Sequence, residues 1–97
     1  MPPMLKHNTY FEGKVQSVGF ERHGRRLTAV VIERGEFRFD TGAAERMTVT
    51  SGELLVRAPG TTDWQRYPAG TSFEVAAKSA FDVKAEEPSS YVCEFLA

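Results

Sequence analysis

The feature that most constrains the fold is a two-residue alternation of apolar and polar side chains, recurring in short runs along the chain. Phe37 and Phe39 alternate with Glu36, Arg38 and Asp40; Phe73 and Val75 with Ser72 and Glu74; Phe81 and Val83 with Asp82 and Lys84. Met47 and Val49 follow Glu45 in the same way, Leu54 and Val56 continue after Gly52, and Tyr91, Cys93 and Phe95 share one face. Successive side chains of an extended strand point to opposite faces, so each run reads as a strand with one side buried. Glycine and proline turns separate the runs: Glu33-Arg-Gly-Glu36, Ser51-Gly52, Ala58-Pro-Gly60 and Pro68-Ala-Gly70. No helical periodicity extends beyond about one turn. The pattern predicts about nine short strands in an all-β, antiparallel barrel or sandwich with little or no helix.

The remaining segments fit this scheme. Tyr10 to Phe20 reads as one strand with Gly13 as a bulge or bend, and Glu21 to Arg26 as a polar hairpin loop. Leu27-Thr-Ala-Val-Val-Ile32 is apolar enough for a central strand, and Trp64-Gln-Arg-Tyr67 is a short one. Residues 1–8 contain two prolines and no periodicity, which predicts a mobile start ahead of a single domain over residues 9–97.

Composition sets outer bounds. A chain of 97 residues is one domain, near the lower limit for a core without staples, and its single cysteine excludes an internal disulfide. A net charge of −1 gives no reason to expect a nucleic-acid partner. No run approaches the ~18 apolar residues of a membrane span, and residues 1–6 lack the apolar core of a secretory signal, so a cytoplasmic protein is expected. A small β domain gains stability by covering an edge or face, which favours a homodimer.

Two stretches share a grammar of strand and tight turn: Glu45-Arg-Met-Thr-Val-Thr-Ser-Gly52, and Gly70 through Phe73-Glu-Val75 to Phe81. They resemble the paired motifs of the cupin superfamily of small jelly-roll barrels. In that family a glutamate stands seven positions before a glycine, as Glu45 does before Gly52, and a second glycine stands eleven before a histidine, where this chain has Gly70 and Phe81. The two histidines that precede the glutamate in metal-binding cupins fall on Phe39 and Thr41. Neither residue ligates a first-row metal, and one carboxylate cannot fill a coordination sphere, so no metal is expected.

Other chemistries find little support in the residues. Gly13 and Gly19 flank a strand instead of opening a helix, so there is no phosphate-cradling loop. His7 and His23, the only imidazoles, lie outside both motifs and read as surface and loop residues, and Cys93 between aromatics reads as a buried, inert thiol. Among the loop arginines, Arg22 and Arg25 read as solvated charges, whereas Arg26 adjoins a strand and is better placed to face a site. What remains is an aromatic interior with one carboxylate and several cations near its rim, a setting suited to a flat heteroaromatic ligand. Taken one at a time, Phe37, Phe39, Phe73 and Phe81 read first as core filling of a small barrel.

From about Asn8 to Phe95 the chain resembles the pyrimidine/purine nucleoside phosphorylase family of short cupins. The matching phrases are Tyr10-Phe-Glu-Gly-Lys-Val-Gln-Ser-Val-Gly-Phe20, Gly35-Glu-Phe-Arg-Phe39, Glu45 to Gly52, Thr62-Asp-Trp-Gln65, Ala69-Gly70 with Phe73-Glu-Val75, and Ser90-Tyr-Val-Cys93. The resemblance implies phosphorolysis: a purine or pyrimidine nucleoside plus inorganic phosphate gives the free base and pentose 1-phosphate, with no further cofactor. On that expectation Arg26, Arg38 and Lys14 are the candidates to hold phosphate, a guanidinium being preferred for its bidentate grip. Glu45, or Glu36, is the candidate to face the sugar hydroxyls and the positive charge that develops as the C–N bond breaks. Phe39, Phe81 or Tyr91 would stack on the base, and Tyr67, Tyr91 or Ser79 would donate to it, with Thr41 also at the mouth. Alternation puts Glu36 and Arg38 on the face opposite Phe39, so they serve only if a second subunit covers that face. The alternatives are a non-catalytic cupin that binds a small molecule or a partner, and a metal-dependent cupin enzyme, which Phe39, Thr41 and Phe81 disfavour.

Overall fold

The computed structural model describes residues 5–96. Ten strands account for most of them: β1 Lys6–Tyr10, β2 Val15–Arg22, β3 Arg25–Ile32, β4 Gly35–Asp40, β5 Ala44–Ser51, β6 Glu53–Arg57, β7 Gln65–Pro68, β8 Ser72–Val75, β9 Ala80–Ala85 and β10 Ser89–Leu96. They form a six-stranded sheet of order β1-β2-β3-β10-β5-β8 and a four-stranded sheet of order β4-β9-β6-β7, with every pairing antiparallel. There is no helix among the described residues, hence none long and apolar enough to cross a membrane. The all-β expectation holds. The two sheets face each other without closing into a continuous barrel.

Alternation decides what lies between them. Val15, Val30, Ile32, Met47, Val49, Tyr91 and Cys93 point inward from the large sheet and meet Phe37, Leu54, Val56, Phe81 and Val83 from the small one, all of them buried. Each such side chain contributes roughly 1.5–3 kcal/mol by leaving water, so the run of inward positions is what fixes the register. Between β5 and β6 the chain leaves one sheet for the other at Gly52, whose φ is +75°. A Cβ there would come within 2.2 Å of Ser89 Oγ, so this position takes no side chain without displacing Ser89. Ser89, buried, accepts a hydrogen bond from the Glu53 N–H at 3.2 Å and thereby ties the crossover to the start of β10.

The N-terminal third departs from expectation. Residues Lys6 to Tyr10 pair with Val15 to Gly19 as a hairpin, so β1 begins inside the segment read as a mobile start, whose first four residues lie outside the described ones. Gly13 is in the connecting turn, not a bulge within one strand. That turn places Phe11, Glu12 and Gly13 in succession at positive φ (52°, 59° and 88°). It is closed by hydrogen bonds from Gly13 N to Tyr10 O and from Lys14 N to Phe11 O. The loop expected over Glu21 to Arg26 contracts to a two-residue turn, His23-Gly24, with both φ values positive (53° and 75°) as a tight hairpin requires. Arg26 is therefore a strand residue.

Candidate functional site

Toward the end of the sandwich where β5 starts and β10 finishes, the inner face of the large sheet and two phenylalanines of the small sheet enclose a cavity of about 130 Å³. Alternation and register build it row by row. Thr28, Cys93 and Met47 are paired across β3, β10 and β5, and one step further Phe95 of β10 is paired with Glu45 of β5. Phe39 and Phe81, register partners on β4 and β9, close the opposite wall with ring centroids 5.8 Å apart. Tyr91 lies deeper, buried, and Tyr10 stands at the rim, 46% exposed.

Arg26 shares the inward face of β3 with Thr28 and Val30, and its Cζ lies 5.7 Å from the centroid of the Phe95 ring. A cation, an aromatic ring and a carboxylate thus follow one another across three strands. Arg26 and Glu45 are separated by Phe95, and neither forms an ion pair among the described residues. Arg26 also borders a larger hollow of about 640 Å³, lined with His23, Arg25 and Leu96, which shares Phe95 with the inner cavity.

Among the described residues, Glu45 is the only carboxylate in the cavity wall. Partial burial raises its pKa above the usual carboxylate value, and a hydrogen bond from Cys93 Sγ to Glu45 Oε1, at 3.2 Å, partly opposes that shift. The Cys93 thiol is itself pushed far up, first by burial and then by the Glu45 charge, so it stays protonated and serves as a donor. Tyr91 is likewise held neutral, chiefly by burial.

Of the residues singled out in the sequence, Glu45, Phe39, Phe81 and Tyr91 meet in this cavity and Arg26 sits at its edge. The others are elsewhere. Lys14 belongs to the β1–β2 turn and borders a groove on the outer face with His7, Gln16 and Val31. Arg38 points outward, as alternation requires, and pairs with Asp82 at 3.3 Å, while Glu36 lies 3.9 Å from Arg57 on the same face. Thr41 is buried but works as a clamp: its hydroxyl lies 2.7 Å from Ala76 O and accepts from Ser79 N at 2.9 Å, holding the loop before β9. Ser79 enters the clamp through its backbone N–H and C=O, and its side chain does not line the cavity. Tyr67 stacks on Phe73 at 4.5 Å, outside the cavity wall.

Sequence reasoning missed Tyr10, Ser17, Thr28 and Phe95 as wall residues; Cys93 is buried with its thiol kept protonated, as its place between aromatics predicts, and it also lines the cavity. Their alternation was visible, but which inner positions border a hollow depends on where the narrower sheet ends. The metal-motif positions Phe39, Thr41, Glu45 and Phe81 do not fit a metal ion, and among the described residues no three His, Cys, Asp or Glu side chains group closely enough to hold one.

Comparison with known proteins gives these positions a context. The family model described as pyrimidine/purine nucleoside phosphorylase matches residues 5–95. The chain is 68% identical over 93 residues to a Sorangium cellulosum protein of that name, covering 96% of this chain and all of the relative. It is 46% identical to the Aeromonas salmonicida protein of the same name, covering 96% and 99%. A crystal structure from Vibrio parahaemolyticus, described as a protein of unknown function, superposes with a TM-score of 0.92 at 42% identity, covering 95% of this chain and 98% of that one. An RmlC-like cupin from Shewanella frigidimarina, 15% identical, superposes at 0.72 over 96% and 93% of the two chains and shows the cupin fold.

Proposed function

The chain belongs to the pyrimidine/purine nucleoside phosphorylase family, and from that premise we propose that it cleaves purine and pyrimidine nucleosides with inorganic phosphate to free base and pentose 1-phosphate. The observation that carries this reading is the row of Arg26, Phe95 and Glu45 at the mouth of an aromatic cavity.

Each part answers a demand of the reaction. Phe39 and Phe81 offer ring faces to a base, and stacking of that kind, worth on the order of 1–3 kcal/mol, does not discriminate between purines and pyrimidines. Glu45, which lines the cavity, would face the sugar, where an ionised carboxylate orients hydroxyls and stabilises the positive charge that develops on the sugar as the base departs. Arg26, exposed and unpaired among the described residues, has its guanidinium available to phosphate. Its stacking on Phe95 limits the freedom it must lose on binding. With cation and carboxylate held apart by an aromatic ring, the two do not neutralise each other, and phosphate and sugar can be brought together between them. Positioning and electrostatics then supply most of the rate. The reaction needs no cofactor beyond phosphate itself.

The test is base release from uridine and adenosine with and without phosphate. Release that requires phosphate supports phosphorolysis; release without it shows hydrolysis; none at all favours a binding module. In an Arg26→Ala variant the apparent KM for phosphate should rise on the order of ten-fold or more, as expected for loss of a charge-assisted hydrogen bond. An unchanged KM removes Arg26 from that role.

A further inference from the structure

We propose that Cys93 is a positioning residue for Glu45: its thiol fixes one carboxylate oxygen, leaving the other oxygen for the sugar. This rests on the phosphorolytic reading of the cavity but is argued from geometry. Cys93 and Phe95 lie on the same face of β10, and Phe95 is the register partner of Glu45, so the thiol is the diagonal neighbour of the carboxylate across the sheet. Sγ lies 3.2 Å from Oε1, while Oε2 has no hydrogen-bond partner among the described residues. Both side chains line the cavity. The carboxylate is therefore held at one oxygen only and presents the other to whatever enters.

A thiol suits this task because it is apolar enough to sit in the wall beside Met47 and Tyr91, yet keeps one weak donor. A donor aimed at a carboxylate favours its ionised form. The remaining titratable groups do not take over that role. Tyr10 comes from β1 and Tyr91 from β10, and Arg26 of β3 is held over Phe95. β4 and β9 present only Phe39 and Phe81 to the cavity, and β8 places Val75 alongside Glu45. Arg46 and Glu94 are engaged with one another on the outer face.

Removing the donor and strengthening it should move Glu45 in opposite directions, which a packing role does not do. In Cys93→Val, of similar bulk but without a donor, the Glu45 carboxyl should titrate at higher pH. In Cys93→Ser, with a stronger donor, it should titrate lower. Carbon-detected NMR titration of the Glu45 side chain in wild type and both variants reads this without any substrate. The acid limb of kcat/KM for uridine should move in step, and kcat should fall on the order of ten-fold in the valine variant with serine restoring it. A Glu45 titration that is unchanged in both variants, or that moves the same way in both, overturns the proposal. If Cys93→Val fails to fold, the serine variant decides alone: a downward shift supports the role and no shift overturns it. Absence of phosphate-dependent base release from wild-type protein would instead refute the functional reading, while the NMR titration still settles whether Cys93 governs Glu45.

Discussion

Glu45 and Asp82 are both partly buried carboxylates on inner strands of their sheets, and they are treated in opposite ways. Asp82 lies on the outer face of β9 and is gripped by Arg57 through both Nε (3.1 Å) and Nη2 (2.9 Å), with Arg38 in addition. Arg57 in turn stacks on Trp64, its Cζ 4.6 Å from the ring. Those arginines hold the Asp82 carboxyl below the usual range, chiefly through the Arg57 hydrogen bond. Glu45 faces the cavity, has a thiol for its one donor, and is shifted the other way by burial. One acid has its bonding capacity spent within the fold, whereas the other keeps part of it unspent. A carboxylate held at some cost in solvation and left incompletely paired is what a binding or catalytic site requires.

The sharpest way to break this comparison is to neutralise each acid. Glu45→Gln should lower kcat/KM for uridine and adenosine by about 10²–10³, the usual effect of losing one preorganised electrostatic contact, while the melting temperature at pH 7 stays level or rises. An active, folded Glu45→Gln protein would remove the residue from the mechanism.

The two acids also give stability opposite pH dependences. The Glu45 pKa is raised on folding, so over that range the folded state binds more protons than the unfolded state, and stability falls as pH rises through it. The Asp82 pKa is lowered, so its contribution is present above the unfolded value and is lost as pH falls toward the folded one. Melting temperatures across pH 2–7 (about the carboxylate range) should show the acid-side loss reduced in Asp82→Asn and the decline with rising pH reduced in Glu45→Gln. Identical profiles for the two variants would contradict the assignment.

The smallest effect separates the two arginines on Asp82. Arg38 is 67% exposed in its side chain and makes a single contact at 3.3 Å, whereas Arg57 makes two and also packs on Trp64. Arg38→Ala should leave the melting temperature close to wild type, and Arg57→Ala should lower it clearly. Neither should alter turnover per folded molecule.

Much of this was legible from the chain because burial on one face imposes a period of two wherever a strand has a covered side. β4 to β10 show that period, and so the fold class followed. β1 does not show it: its inward positions, Lys6, Asn8 and Tyr10, lie at an edge that the small sheet leaves largely uncovered, so nothing selects apolar residues there. Its turn was hidden for a related reason. Phe11 and Glu12 are not residues that announce positive φ, and Phe11 adopts it while its ring packs 5.0 Å from Phe37 and 5.6 Å from Phe39. In the site, motif spacing located Glu45, Phe39 and Phe81 because the strand register of this fold brings those positions to one end of the sandwich. It could not show that the Thr41 hydroxyl is used up by Ala76 and Ser79, or that Tyr67 turns to Phe73. Those outcomes depend on loop paths and on contacts between strands far apart in sequence.

The unequal widths of the two sheets, six strands against four, have a consequence for traffic. A base broader than its cover leaves one margin to be closed by other means, and here the first hairpin closes it: Tyr10 stands half-exposed in the cavity wall and the Phe11 ring reaches across to Phe37 and Phe39. On that side the compartment that holds Glu45 is thus walled by side chains of one hairpin and not by a further pair of strands. On the phosphorolytic reading proposed above, nucleoside, base and sugar phosphate would exchange past that hairpin, and the contest between phosphate and water at the sugar would turn on how firmly Arg26 holds the anion.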